Sequence, residues 1–108
     1  MSKQLKLVKL TIICALIVAM PALAQNSGAD IFKAKCQMCH GPDGTANTPA
    51  GRAIKAASFK SPALINIPDA ELIAAVKNGK GKMPAFSGKL TDDQIKAAIA
   101  YVRTLQHS

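Results

Sequence analysis

The stretch Cys36-Gln37-Met38-Cys39-His40 constrains this chain more than any other part of it. On a helix, positions i, i+3 and i+4 share one face, with Cβ atoms about 5–6 Å apart. That spacing presents two thiols and one imidazole to the same flat object. A C-x-x-C-H is the signature of covalent c-type haem attachment. The thiols of Cys36 and Cys39 close thioethers on the two vinyl groups, and His40 takes the proximal side of the iron. Gln37 and Met38 are spacers in this reading. Two plainer readings compete with it. A thioredoxin-like dithiol needs a βαβ setting, and the chain has no strong strand pattern. A structural zinc site wants four ligands, and beyond the motif only His107 is on offer once the first segment is set aside.

That first segment reads as a leader. Met1 to Leu10 holds Lys3, Lys6 and Lys9, Thr11 to Met20 is apolar, and Pro21-Ala22-Leu23-Ala24 ends in small residues. A basic stretch, an apolar stretch and an A-x-A site make a signal peptide over residues 1–24, cut after Ala24. The apolar run is short for a span of about 20 residues. An N-terminal membrane anchor is therefore the weaker alternative, and no stable membrane insertion is expected after cleavage. Cys14 leaves with the leader, so both remaining cysteines belong to the motif. Residues 25–108 form one domain, exported to a bacterial periplasm.

A domain of about 84 residues builds a thin core. This one has no Trp, and its aromatics are Phe32, Phe59, Phe86 and Tyr101. A buried haem supplies the missing apolar bulk, so the chain without it is expected to fold poorly. The net charge is +8; three of the 14 basic residues lie in the leader and all six acids outside it, which leaves +5 on the domain. The basic residues are not interleaved with aromatics, which together with export excludes a nucleic-acid binder. A solvated basic surface explains the charge in part. Steering toward an acidic redox partner is its functional reading.

Helix signals follow in chain order. Ser27-Gly28-Ala29-Asp30 fits a capped start for a helix through about Cys39. Residues 41–51, with two Pro and three Gly, read as loop. They pass beneath the proximal side, where a carbonyl near Pro49 is the candidate acceptor for the second nitrogen of His40. In residues 52–60, Ala53, Ile54, Ala56, Ala57 and Phe59 fit a short helix or an irregular wall against the haem, and residues 63–67 fit a turn of helix. Asp69 to Asn78 is a clearer helix with Leu72, Ile73 and Val76 on its apolar face, stopped by Gly79. Thr91-Asp92-Asp93-Gln94 is a capping box. It opens a helix to about Gln106 whose Ile95, Ala98, Ile99, Val102 and Leu105 follow a 3.6-residue period, with Tyr101 on the flank.

Between the last two helices, Gly79-Lys80-Gly81-Lys82-Met83-Pro84-Ala85-Phe86 cannot be helical. Met83 either fills a packing gap or offers its thioether as the distal haem ligand. Met1 and Met20 leave with the leader, and Met38 sits between the cysteines on the proximal side. His107 is the rival ligand, one residue from a terminus where chains fray.

With these residues in place the chain resembles a class I monohaem cytochrome c, of the small bacterial c6/c553 kind. The resemblance covers nearly all of residues 25–108. It rests on Cys36 to Gly41, on Met83-Pro84-Ala85-Phe86, and on the run Asp69-Ala70-Glu71-Leu72 with Lys77-Asn78-Gly79. It implies an all-α fold of about four helices wrapped around one covalently attached haem c, with one edge exposed. It also implies that the first and last helices cross at Gly28, Phe32 and Tyr101. The segment 41–59 is the part it describes least.

A His40/Met83 pair fills both axial positions, so the site passes electrons and is not expected to be an enzyme. The soft thioether favours Fe(II). Lys55, Lys60, Lys80 and Lys82 are expected to rim the exposed edge of a monomeric carrier and guide it to acidic partners. Three other classes compete. They are a gas or redox sensor or weak peroxidase with a labile Met83, a fixed electron-entry subunit of a larger oxidoreductase, and a haem-free C-x-x-C redox protein.

Overall fold

A computed structural model describes residues 27–108, so the expected leader over residues 1–24 lies outside the described residues. The described chain is helical: α1 (Gly28–Lys35), α2 (Gln37–His40), α3 (Pro49–Ala53), α4 (Pro62–Ile65), α5 (Asp69–Asn78) and α6 (Asp92–Gln106). Three of these six, α2, α3 and α4, are single turns of four or five residues. The expected all-α class holds, with the short turns added to three longer helices. Strand-type pairing is limited, among the described residues, to isolated bridges such as Lys80 to Met83.

The caps account for the long helices. Ser27 accepts from the Asp30 N–H at 3.1 Å and starts α1. Thr91 and Gln94 exchange bonds of 3.1 and 2.8 Å, completing the capping box at the head of α6. The expected face of α6 is the buried one, including Ile95, Ala98, Ile99, Val102 and Leu105. α5 begins after Pro68 with Asp69 and Glu71 in its first turn, where they favour the positive end of the dipole.

α1 lies across α6, and glycine makes that crossing. A Cβ on Gly28 would overlap the carbonyl of Ala97. Phe32 is buried beside the crossing, its ring 5.3 Å from that of Tyr101. Gly28, Phe32 and Tyr101 thus form the crossing that the resemblance implied. Phe32, Val102 and Leu105 form the central cluster of the buried core, with Cys36, Phe59 and Tyr101 packed against it. The core is as thin as the length suggests. α5 packs against α6 but contributes no buried residue to it, because Leu72 and Val76 line a cavity.

Two expectations about boundaries are corrected. The first helix does not run unbroken to Cys39. Cys36 stands between α1 and α2 with φ −119° and ψ −32°, far from the helical φ of about −63°. The bonding continues through the kink: Cys36 N–H donates to Phe32 O at 2.9 Å, and His40 N–H to Cys36 O at 3.0 Å. The segment 41–51 is not all loop either. Thr48 accepts from the Gly51 N–H at 2.9 Å and Pro49 takes the first helical position of α3, where its missing N–H costs nothing.

Arg103 ties the two halves together. Its Nε donates to Asp69 Oδ1 at 2.8 Å. Its other nitrogens donate to the carbonyls of Leu64, Ile65 and Ile67 and to Gln106 Oε1. One guanidinium, with donors fixed in a plane, thereby closes the α4–α5 segment onto α6.

Candidate functional site

The helices enclose a cavity of about 540 Å³, lined mainly by apolar side chains. Cys36, Cys39, His40 and Met83, the four residues singled out in the sequence, all line it. The first three come from the kink and α2. Met83 comes from the loop after α5.

The first wall is built tightly. Thr48 Oγ1 donates to Met38 O at 2.8 Å and to Cys39 O at 3.2 Å, and Ala46 N–H donates to His40 O at 2.8 Å. These bonds satisfy carbonyls that the end of a helix leaves open. Gly51 is buried in α3 against the same turn, and a Cβ there would overlap the carbonyl oxygens of Cys39 and Ala46. The His40 ring stacks on Phe59 with centroids 4.5 Å apart. Phe59 is held in turn by its N–H to Gly44 O at 2.8 Å and by Gln106, which donates to Phe59 O at 3.1 Å.

Burial sets the chemistry of this wall. It pushes the Cys36 thiol up to about 11, so the thiol is neutral at ordinary pH. A dithiol oxidoreductase works the other way, through a depressed thiol pKa. Burial also lowers the His40 pKa, which favours the neutral imidazole that a metal binds. His40 Nδ1 is buried without a hydrogen-bond partner. The expected acceptor near Pro49 is not engaged. The carbonyls on either side of Pro49, those of Thr48 and Ala50, accept from Arg52 and Ile54 within the turn of α3.

The opposite wall is a hung loop. Gly79 N–H donates to Ala75 O at 2.9 Å, Phe86 N–H to Val76 O at 2.9 Å and Ser87 N–H to Lys77 O at 3.1 Å. Both ends of the loop are therefore pinned to the open carbonyls of α5. At the tip, Lys80 and Met83 exchange bonds of 3.1 and 2.9 Å across Gly81-Lys82. Gly81 has φ 57°, the sign a two-residue turn of type II′ requires at its first position. The turn holds Met83 half-buried at the cavity. Met38 is 79% exposed and His107 lies past the end of α6; neither lines the cavity.

Of the four lysines expected at the mouth, Lys55, Lys80 and Lys82 line the cavity and Lys60 does not. Lys60 Nζ donates to Ser108 O at 3.1 Å. Lys35 takes its place, at the end of α1. Phe59 lies in the segment expected as a short helix or a wall against the haem, and it does line the cavity, whereas Gln106 was not foreseen as part of the site. An aromatic in an irregular segment and a Gln at a helix end are weak signals, although Gln106 is buried.

The donors suit one kind of group. Two thiols, a neutral imidazole and a thioether face one mainly apolar cavity, which fits a flat, greasy, iron-bearing ring better than a tetrahedral ion. The comparisons with known proteins agree. Residues 17–102 match the family described as cytochrome C oxidase, cbb3-type, subunit III. A cytochrome c6 of Leptolyngbya boryana is 40% identical, over 70% of this chain and 86% of its own. One from Picosynechococcus sp. is 34% identical, over 93% and 92%. Among solved structures, the KustC0563 c-type cytochrome superposes with a TM-score of 0.69 at 28% identity, over 74% of this chain and 98% of its own. An all-helical fold closed around a C-x-x-C-H cavity defines a c-type cytochrome. This chain belongs to that family, as a class I monohaem member resembling cytochrome c6. It is an electron-transfer protein, not an enzyme, and it carries a covalently bound haem c.

Proposed function

We propose that residues 25–108 are a soluble, exported carrier that moves one electron at a time on a haem ligated by His40 and Met83. Cys36 and Cys39 anchor the ring through thioethers. The observation that supports this most is that all four residues line one cavity while Met38 and His107 do not. The haem supplies an iron that alternates between Fe(II) and Fe(III). The chain holds His40 by stacking on Phe59, and holds Met83 on a loop fixed at both ends. Leu72, Val76, Ile99 and Val102 keep water from the ring. If His40 and Met83 both hold the iron, the chain would leave no room for a substrate at the metal. Lys35, Lys55, Lys80 and Lys82 surround the opening and draw in acidic partners; weak redox encounters of this kind use small interfaces and slow as salt screens them. The leader over residues 1–24 directs the chain to the periplasm.

The optical spectrum tests this. The exported protein should be low-spin, with a weak far-red band in the oxidised form that disappears in Met83→Ala. Its reduced spectrum should ignore carbon monoxide. A high-spin spectrum that shifts with carbon monoxide would make the protein a sensor or a weak peroxidase. The description of the matched family, an oxidase subunit, favours one other reading: a fixed electron-entry subunit. Copurification with a partner through gel filtration would reveal it.

A further inference from the structure

A histidine that binds a metal through one nitrogen is as a rule oriented by a hydrogen bond from the other. His40 Nδ1 is buried and has no such partner. What holds the ring is its face. Phe59 lies against it with centroids 4.5 Å apart and planes 25° from parallel. Phe59 is fixed in turn. Its ring meets that of Phe32 edge-on, with centroids 6.1 Å apart. The Gly44 backbone runs so close that a Cβ there would stand 2.7 Å from Phe59 Cδ2. Phe59 N–H donates to Gly44 O at 2.8 Å, and Phe59 O accepts from Gln106 Nε2 at 3.1 Å. Gln106, at 7% exposure, is the buried polar side chain among the described residues. Arg103 Nη1 donates to its Oε1 at 3.0 Å. A guanidinium can only donate, so the amide oxygen faces Arg103 and the amide nitrogen faces Phe59. A continuous run of contacts thus joins Arg103, Gln106, Phe59 and His40.

We propose that Phe59 is a positioning residue for His40 and that Gln106 keeps it in register: the stacked ring, and not a bond to Nδ1, fixes the angle of the imidazole about the bond it makes to iron. The inference rests on the axial role of His40 proposed above and adds the residues that set its orientation. A flat ring packed on a flat ring resists its rotation. A branched aliphatic side chain of similar bulk fills the space without that resistance. A ligand stays in one geometry only when the residues behind it are themselves locked, and here both the main-chain N–H and the C=O of Phe59 are engaged. For an electron carrier the consequence is an imidazole that keeps one orientation in Fe(II) and Fe(III). Three variants separate shape from bulk. Phe59→Leu keeps an apolar contact and loses the plane. Phe59→Tyr keeps both. Gln106→Leu keeps the stack and removes one of its two anchors.

The test uses the haem-loaded, oxidised protein and proton NMR. The order and spread of the four haem methyl resonances follow the angle of the imidazole plane, because that angle directs unpaired spin onto the ring. In Phe59→Leu the spread should narrow as the imidazole gains rotational freedom, and Phe59→Tyr should keep the parent pattern. Gln106→Leu should move the pattern the same way and less far, because the bond from Phe59 N–H to Gly44 O remains. The His40 ring N–H should exchange with solvent about tenfold faster in Phe59→Leu, the equivalent of one lost aromatic pair. An unchanged methyl pattern in Phe59→Leu beside a lowered melting temperature would reduce Phe59 to packing and overturn the proposal. A pattern that moves equally in Phe59→Leu and Phe59→Tyr would do the same, since the plane is kept in one of them. An unchanged pattern in Gln106→Leu would overturn the part given to Gln106. A ring N–H that resists exchange equally in every variant would mean that an acceptor on Nδ1 supports the ring in place of the stack. A parent protein without low-spin haem resonances would overturn the axial role of His40 itself, an outcome distinct from all of these.

Discussion

His40 and Met83 line one cavity on supports of different kinds. His40 ends a turn whose carbonyls are occupied by Thr48 and Ala46, whose flank is filled by Gly51, and whose ring is stacked on Phe59. Every one of those partners comes from the segment 44–59. Met83 rides the tip of a loop tied to α5 only at its two ends. Nothing stands within 4 Å of a Cβ built on neighbouring Gly81. The His40 wall is fixed by packing and hydrogen bonds together, the Met83 loop mainly by backbone hydrogen bonds at its ends and tip. In the proposed carrier a redox site would profit from both: the packed side would anchor the ring, and the hung side could adapt to the Met83 sulfur.

The largest effect should come from removing the anchor itself. Cys36→Ala with Cys39→Ala removes both thioether positions and leaves the cavity without its ring. Leu72, Val76 and Ile99 would then line about 540 Å³ of open space, in a domain whose buried core is centred on Phe32, Val102 and Leu105. Circular dichroism should show reduced helicity and no cooperative melt. Native-like helicity with a sharp transition would show that the protein core suffices alone.

Glycine-to-alanine changes compare the walls directly. In Gly51→Ala the new methyl meets two backbone oxygens, of Cys39 and Ala46, which cannot rotate away. Overpacking of this kind should cost about 3 kcal/mol and disturb His40. In Gly81→Ala the methyl meets nothing, and only the left-handed φ of 57° is strained. That change should cost about 1 kcal/mol and leave the proximal wall intact. Thermal melts of the two variants measure the difference. Equal losses would mean that the distal loop is packed as firmly as the proximal turn.

The same contrast explains what could be read from the sequence. Cys36, Cys39, His40 and Met83 were legible because motif spacing and elimination act over short stretches. α1, α5 and α6 were legible because Ser27, Pro68 and Thr91 are local start signals. α3 was legible in principle: Thr48 followed by Pro49 is a helix start, but the surrounding Gly and Pro were weighed as loop. Arg103 was not legible, because the groups it binds lie 34 to 39 residues away and only the folded chain brings them together. Phe59 was legible only as part of an irregular wall, and its stacking on His40 was not legible, for a similar reason. Its role depends on the ring of His40, and an aromatic between two irregular stretches carries no periodicity. The lysines divided likewise: position in sequence did not distinguish Lys60, bonded to Ser108 O, from Lys35 at the mouth.

The smallest effect concerns the outer end of the proximal segment. Asp43 Oδ1 accepts from Thr45 Oγ1 at 2.7 Å and from Thr45 N–H at 3.1 Å. The hydroxyl is the main cause of a carboxyl pKa below its ordinary value, the backbone N–H the next, with a small contribution from the charge of Lys60. A carboxylate depressed in the folded state stabilises it above the unfolded pKa, and that contribution is lost as pH falls through the folded value. The window here therefore begins near pH 3.9 and extends downward. An NMR titration of the Asp43 side chain should give a midpoint below about 3.9. Thr45→Val should raise it part of the way back, because the backbone bond remains. An unshifted midpoint in the parent protein would mean that the 43–45 turn opens in solution, and the rigid proximal segment would begin only at Ala46, whose N–H holds the His40 carbonyl.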